Sequence, residues 1–123
     1  MLVDMHLHEK TFSTDSFLSL DEIVSIAKAK GLDAVCITDH DSMGLRETAE
    51  EYTRRTGFQI FTGIEFFSLQ GDITAWGLES YPDHRIPAQD FIDSTPPTAS
   101  AYPAILSATI IAAWRRNCAM FTV

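Results

Sequence analysis

The sequence predicts an α/β fold built on a parallel sheet, and three observations predict it. Short apolar runs and segments of helical spacing follow one another in the order β-α-β-α-β-β-α. The connections are short, which favours right-handed crossovers between parallel neighbours. The polar, chemistry-bearing residues gather where strands end, as they do in parallel α/β folds.

Residues 2–8, with Val3, Met5 and Leu7 alternating against Asp4, His6 and His8, read as the first strand. Ser19 and Glu22 form a capping box that opens a helix. Leu20, Ile23, Val24, Ile26 and Ala27 follow at helical spacing, and Gly31 ends it. Residues 34–38 are a continuous apolar run of the kind a buried parallel strand needs. A second helix is predicted over 42–56, stopped by Gly57. Strands follow at 59–65 and 71–78, then a short helix over 87–92 with Pro87 in its first turn.

The chain has 123 residues, 17 of them acidic and 9 basic, with a net charge of −8. That length fits one domain. Apolar residues at 46% and charged residues at 21% exclude a disordered chain. The acidic excess argues against general nucleic-acid binding, which needs a basic face, and suits a site that holds cations. Cys36 and Cys118 have no disulfide-framework spacing, and the N-terminal residues lack the pattern of a signal peptide. No apolar run approaches the ~20 residues of a membrane span. Together these predict a cytoplasmic protein.

Three successive strand ends carry His6 and His8, Asp39 and His40, and Glu65. Strand residues two apart face the same way, so His6 and His8 can reach one ion. Imidazole suits Zn, Mn or Fe, and carboxylate oxygens suit Mg or Mn. A mixed set fits two or three ions that lower the pKa of a bound water and clamp a phosphoryl group. The plainer readings are Asp15 as a turn residue, Asp39 and Asp41 as caps of the next helix, His84 as a surface residue, Cys36 as a small buried hydrophobe and Trp76 as core.

The ordered motifs His6-Leu7-His8, Ser13-Thr14-Asp15-Ser16, Ile37-Thr38-Asp39-His40-Asp41 and Gly63-Ile64-Glu65 resemble the polymerase-and-histidinol-phosphatase (PHP) family over about residues 2–93. The resemblance implies a metal-dependent phosphoesterase on a distorted (β/α)7 TIM-like barrel. It implies that His6, His8 and Glu65 bind a paired-metal centre, with Glu65 bridging. Asp15 and His40 would hold a further metal. Catalytic roles fall on Asp39, as a supporting or proton-carrying group, and on His40. The divalent ions would be Mn, Zn, Fe or Mg, two or three in a full domain. Thr74 stands where the family often has His. The family's later H-P motif and closing Asp-x-His are missing, since no His follows His84. A closed barrel needs roughly 200 residues, so an incomplete one, the N-terminal portion, is expected over 1–95.

Residues 96–123 differ in kind, with two arginines and no acid, His or Gly. Regrouping their codons by one base lets the Ala104/Ile105 junction encode His and Ile105/Leu106 encode Pro. Asn117/Cys118 must then give Leu, and Met120/Phe121 must give Val. An aberrant, wrong-frame tail is therefore expected over 96–123. The expected activity is hydrolysis of a phosphomonoester or phosphodiester, in a small phosphorylated substrate or nucleotide, through metal-activated water, weak in this chain as written. A non-catalytic metal-binding or interaction module and an amidohydrolase-like hydrolase are the alternatives. The expected partners exclude general nucleic-acid binding and membranes, and include self-association through an unclosed barrel edge.

Overall fold

The computed structural model describes residues 1–103. The strands are β1 (Val3–Leu7), β2 (Ala34–Ile37), β3 (Gln59–Ser68), β4 (Gly71–Trp76) and β5 (Ser100–Pro103). The helices are α1 (Leu20–Ala29), α2 (Arg46–Thr56) and α3 (Ala88–Ser94). The strands form one sheet in the order β1-β2-β3-β4-β5.

Helix α1 starts as its sequence dictates. The Glu22 N–H donates to the Ser19 hydroxyl, and the Ser19 N–H donates to the Glu22 carboxylate. Leu20, Ile23, Val24 and Ala27 are buried, whereas Ile26 is turned to solvent. They pack with Val35 and Ile37 of β2, Ala49 of α2 and Ile60 of β3 in one core. A second core joins Ile64 and Phe66 of β3, Ile73 and Ala75 of β4 and Phe91 of α3. There the Phe66 and Phe91 rings stack with centroids 4.2 Å apart.

The parallel arrangement covers only β1, β2 and β3. Strands β4 and β5 run antiparallel to their neighbours, so the sheet is mixed. The reason is length: two residues, Leu69 and Gln70, join β3 to β4, and a parallel crossover needs a dozen or more. Strand β3 runs three residues past Glu65 because its two halves have different partners. Residues 59–62 pair with β2 and 63–68 with β4. At the switch, a side chain on Gly63 would strike the Ala75 carbonyl and the Trp76 ring. Helix α2 begins at Arg46, four residues later than expected, after Asp41 adopts a left-handed backbone conformation (φ 46°) that turns the chain first.

Strand β5 is an element the sequence pattern does not announce, at the start of the segment read as aberrant. The wrong-frame reading rests mainly on residues 104–123, outside the described residues. Among the described residues no helix is long and apolar enough to cross a membrane. Cys36 is buried, and its burial pushes the thiol pKa up to about 12.

Candidate metal centre

His6 and His8 leave the end of β1 on one face, with their rings stacked 5.1 Å apart. An irregularity in the β1–β2 register between Asp4 and Leu7 sets two residues, Met5 and His6, against the single Cys36 of β2. Such bulges bend a strand and re-aim its side chains. Glu65 comes from β3 and is 4% exposed. Its Oε2 lies 3.1 Å from His6 Nε2, 2.7 Å from His8 Nε2 and 3.6 Å from His40 Nδ1. Asp15, on the loop after β1, is exposed at the mouth of the site. Its carboxylate lies 3.1 Å from His8 Nδ1 and 3.2 Å from His40 Nε2.

The five side chains fall into two groups, His6–His8–Glu65 and His8–Asp15–His40, each with ligand atoms within 4.8 Å of one another. His8 belongs to both, offering Nε2 to one and Nδ1 to the other. The donor set fits a divalent cation. Ligands about 2.1 Å from a tetrahedral ion stand about 3.4 Å apart, close to the N···O separations here. A carboxyl group buried as deeply as Glu65 needs polar or cationic partners, and a divalent cation among these imidazoles would supply one. Imidazoles and carboxylates together suit Zn, Mn or Fe.

Asp39 stands outside both groups. Its carboxylate accepts the Glu9 N–H at 2.6 Å and the Ser13 hydroxyl at 3.0 Å. Burial raises its pKa against the pull of those two bonds. Ser13 is itself buried, and its oxygen accepts the His40 N–H at 3.0 Å. One hydroxyl thus ties the loop after β1 to the segment that carries His40. Ser13 and the buried Glu9 are the residues that motif reading left without a role. The hydrogen bond from His8 lowers the Asp15 pKa. Asp72 on β4 is raised, first by burial and then by the nearby Glu65 charge. Thr74 lies directly across the β3–β4 ladder from Glu65. His84 is exposed and pairs with its neighbour Asp83 at 2.6 Å. A cavity of about 540 Å³ opens beside Asp41, lined also by Phe66, Tyr81, Asp83, His84 and Arg85.

The PHP domain family matches residues 4–109, which take in all five grouped side chains. The chain belongs to the PHP domain family. A probable histidinol-phosphatase of Thermotoga maritima is 46% identical over 112 residues, covering 76% of this chain and 48% of that protein. An uncharacterized protein of Methanocaldococcus jannaschii is 27% identical over 82 residues, covering 59% of this chain and 48% of its own. A 5'-3' exoribonuclease of Haemophilus influenzae is 32% identical over 62 residues, 50% of this chain and 22% of the enzyme. The chain spans about half the length of the first two relatives, and less of the third. PHP membership accounts for the order in which the His, Asp and Glu residues occur along the chain.

Proposed function

We propose that this chain is the N-terminal part of a PHP-type phosphoesterase that hydrolyses a small phosphate ester, on a TIM-like barrel of which β1 to β5 are one portion. The observation that carries the reading is the convergence of His6, His8, Asp15, His40 and Glu65, from the ends of β1 and β2, the body of β3 and one loop, into two groups sharing His8. His6, His8 and Glu65 would hold one divalent cation, and Asp15 and His40 a further one. The cations would supply a water of lowered pKa and charge to offset that of the phosphoryl oxygens. Glu65, at the buried floor, keeps His6 and His8 aimed at one point. Asp15, at the exposed mouth, leaves the other side open to solvent and substrate. Asp39 acts behind the centre, fixing the 9–13 loop through Glu9 and Ser13. The cavity beside Asp41 has room for the organic part of the ester. The similarity to a probable histidinol-phosphatase makes an amino-alcohol phosphate the first substrate to try, and a mononucleotide the second.

The test loads the purified chain with Mn or Zn and follows phosphate release from histidinol phosphate, a mononucleotide and p-nitrophenyl phosphate. Turnover that disappears with EDTA and in Glu65→Gln supports the reading. Metal binding without turnover would favour a metal-binding module, and no metal binding would refute both. The wrong-frame proposal for 96–123 has its own test, the nucleotide sequence beyond codon 95. Sedimentation of the metal-free chain tests self-association through the β1 edge.

A further inference from the structure

Asp41 lies beside the candidate centre but in neither ligand group. Its conformation and its bonds point to a distinct task. His40 and Glu65 form an isolated parallel bridge. The Glu65 N–H donates to the Asp39 carbonyl and the Asp41 N–H donates to the Glu65 carbonyl, both at 3.0 Å. A parallel ladder continuing from there would next take the Phe67 N–H onto the Asp41 carbonyl. The chain instead turns away at Asp41, with φ at 46°, towards α2. The Asp41 carboxylate takes that N–H, at 2.8 Å. The side chain therefore continues a ladder that its own backbone has left.

We propose that Asp41 is a positioning residue for His40. It lets residues 39–41 run beside β3 for one more bond while the backbone departs, and so holds the His40 imidazole between Asp15 and Glu65. The two demands are separable. The left-handed backbone is tolerated by Asp, Asn and Gly and resisted by most other residues. The acceptor is supplied by Asp and Asn and not by Gly. Asn should therefore replace Asp41, and Gly should satisfy only the backbone. This rests on the metal-centre reading above, and residues that orient metal ligands typically change affinity by about 10–100-fold when lost.

The experiment uses the full chain with Co²⁺, whose visible absorption reports ligand geometry, alongside amide hydrogen exchange at Phe67, which needs no metal. The parent and Asp41→Asn should share one Co²⁺ spectrum, comparable affinity and a protected Phe67 amide. Asp41→Gly should bind Co²⁺ at least about tenfold more weakly, with an altered spectrum and faster Phe67 exchange. In a His40→Ala background the Asn and Gly variants should bind Co²⁺ alike. Parent-like affinity and spectrum in Asp41→Gly would overturn the positioning role while leaving the metal centre standing. A Gly effect that persists undiminished without His40 would also overturn it. A parent that binds no Co²⁺ overturns the metal reading and this proposal with it.

Discussion

Removing the Ser13 hydroxyl tests whether the loop after β1 and the His40 segment are one unit. The hydroxyl donates to Asp39 at 3.0 Å and accepts the His40 N–H at 3.0 Å. Ser13 and Asp39 are both almost fully buried. A hydrogen bond is worth ~0.5–1.5 kcal/mol, or ~1.5–3 kcal/mol where a partner is charged, and a stranded N–H costs ~1–3 kcal/mol. The Glu9 N–H still holds Asp39, and His40 is only half-buried, so water can serve its N–H. Those two remedies bring the expected loss for Ser13→Ala to about 2–3 kcal/mol near neutral pH. The assay is urea unfolding of the metal-free chain for the parent, Ser13→Ala, Asp39→Asn and the double variant. The coupling should be about 1.5 kcal/mol or more, since contacting partners are not additive. A coupling below ~0.5 kcal/mol, the range of independent sites, would refute the claim that Ser13 and Asp39 act together.

Glu65→Gln should lower divalent-metal affinity by more than the roughly hundredfold ceiling for supporting residues, read by calorimetric titration. Unchanged stoichiometry and affinity would remove Glu65 from the centre. Phe91→Ala should cost about 3–5 kcal/mol through the cavity left against Phe66, measured by denaturant titration. It should leave Co²⁺ affinity per folded molecule unchanged, since Phe91 lies in the second core. Gly63→Ala should destabilise by about 1–3 kcal/mol or more, read as a lower Tm. Asp15 has a lowered pKa, chiefly from the His8 hydrogen bond, so it contributes stability above its ordinary pKa. That contribution is lost as pH falls through the lowered value. Asp15→Asn should therefore flatten part of the acid limb of the metal-free stability curve, and parallel limbs would refute this.

What was legible in the sequence follows from range. The capping box of α1 and the same-face pair His6 and His8 depend on residues two or three apart, and both form as read. Glu65 stood out as the third of three successive predicted strand ends with chemistry-bearing residues, and the fold sets three imidazoles around it. The antiparallel turn into β4 was available in principle from its two-residue connection. Strand β5 was hidden by a Pro- and Ala-rich stretch without alternation. Asp41 read as a helix cap, yet it bonds the Phe67 N–H of β3, an interaction across 26 residues. The Ser13 bridge and the register irregularity at Met5 and His6 are likewise tertiary, with no local pattern to reveal them.

His6 and Glu65 are 59 residues apart in sequence, on strands separated by β2. An ion held by both would fasten the ends of that whole segment, as a removable crosslink does. Such a fastener works partly on the unfolded chain, where closing a long loop costs entropy. A cation that binds the folded form alone also draws the population towards it by mass action. Cation concentration would then set how much of this chain is folded as well as how much is loaded. Starvation for the ion would deplete the protein itself, because its unfastened strands are open to proteases.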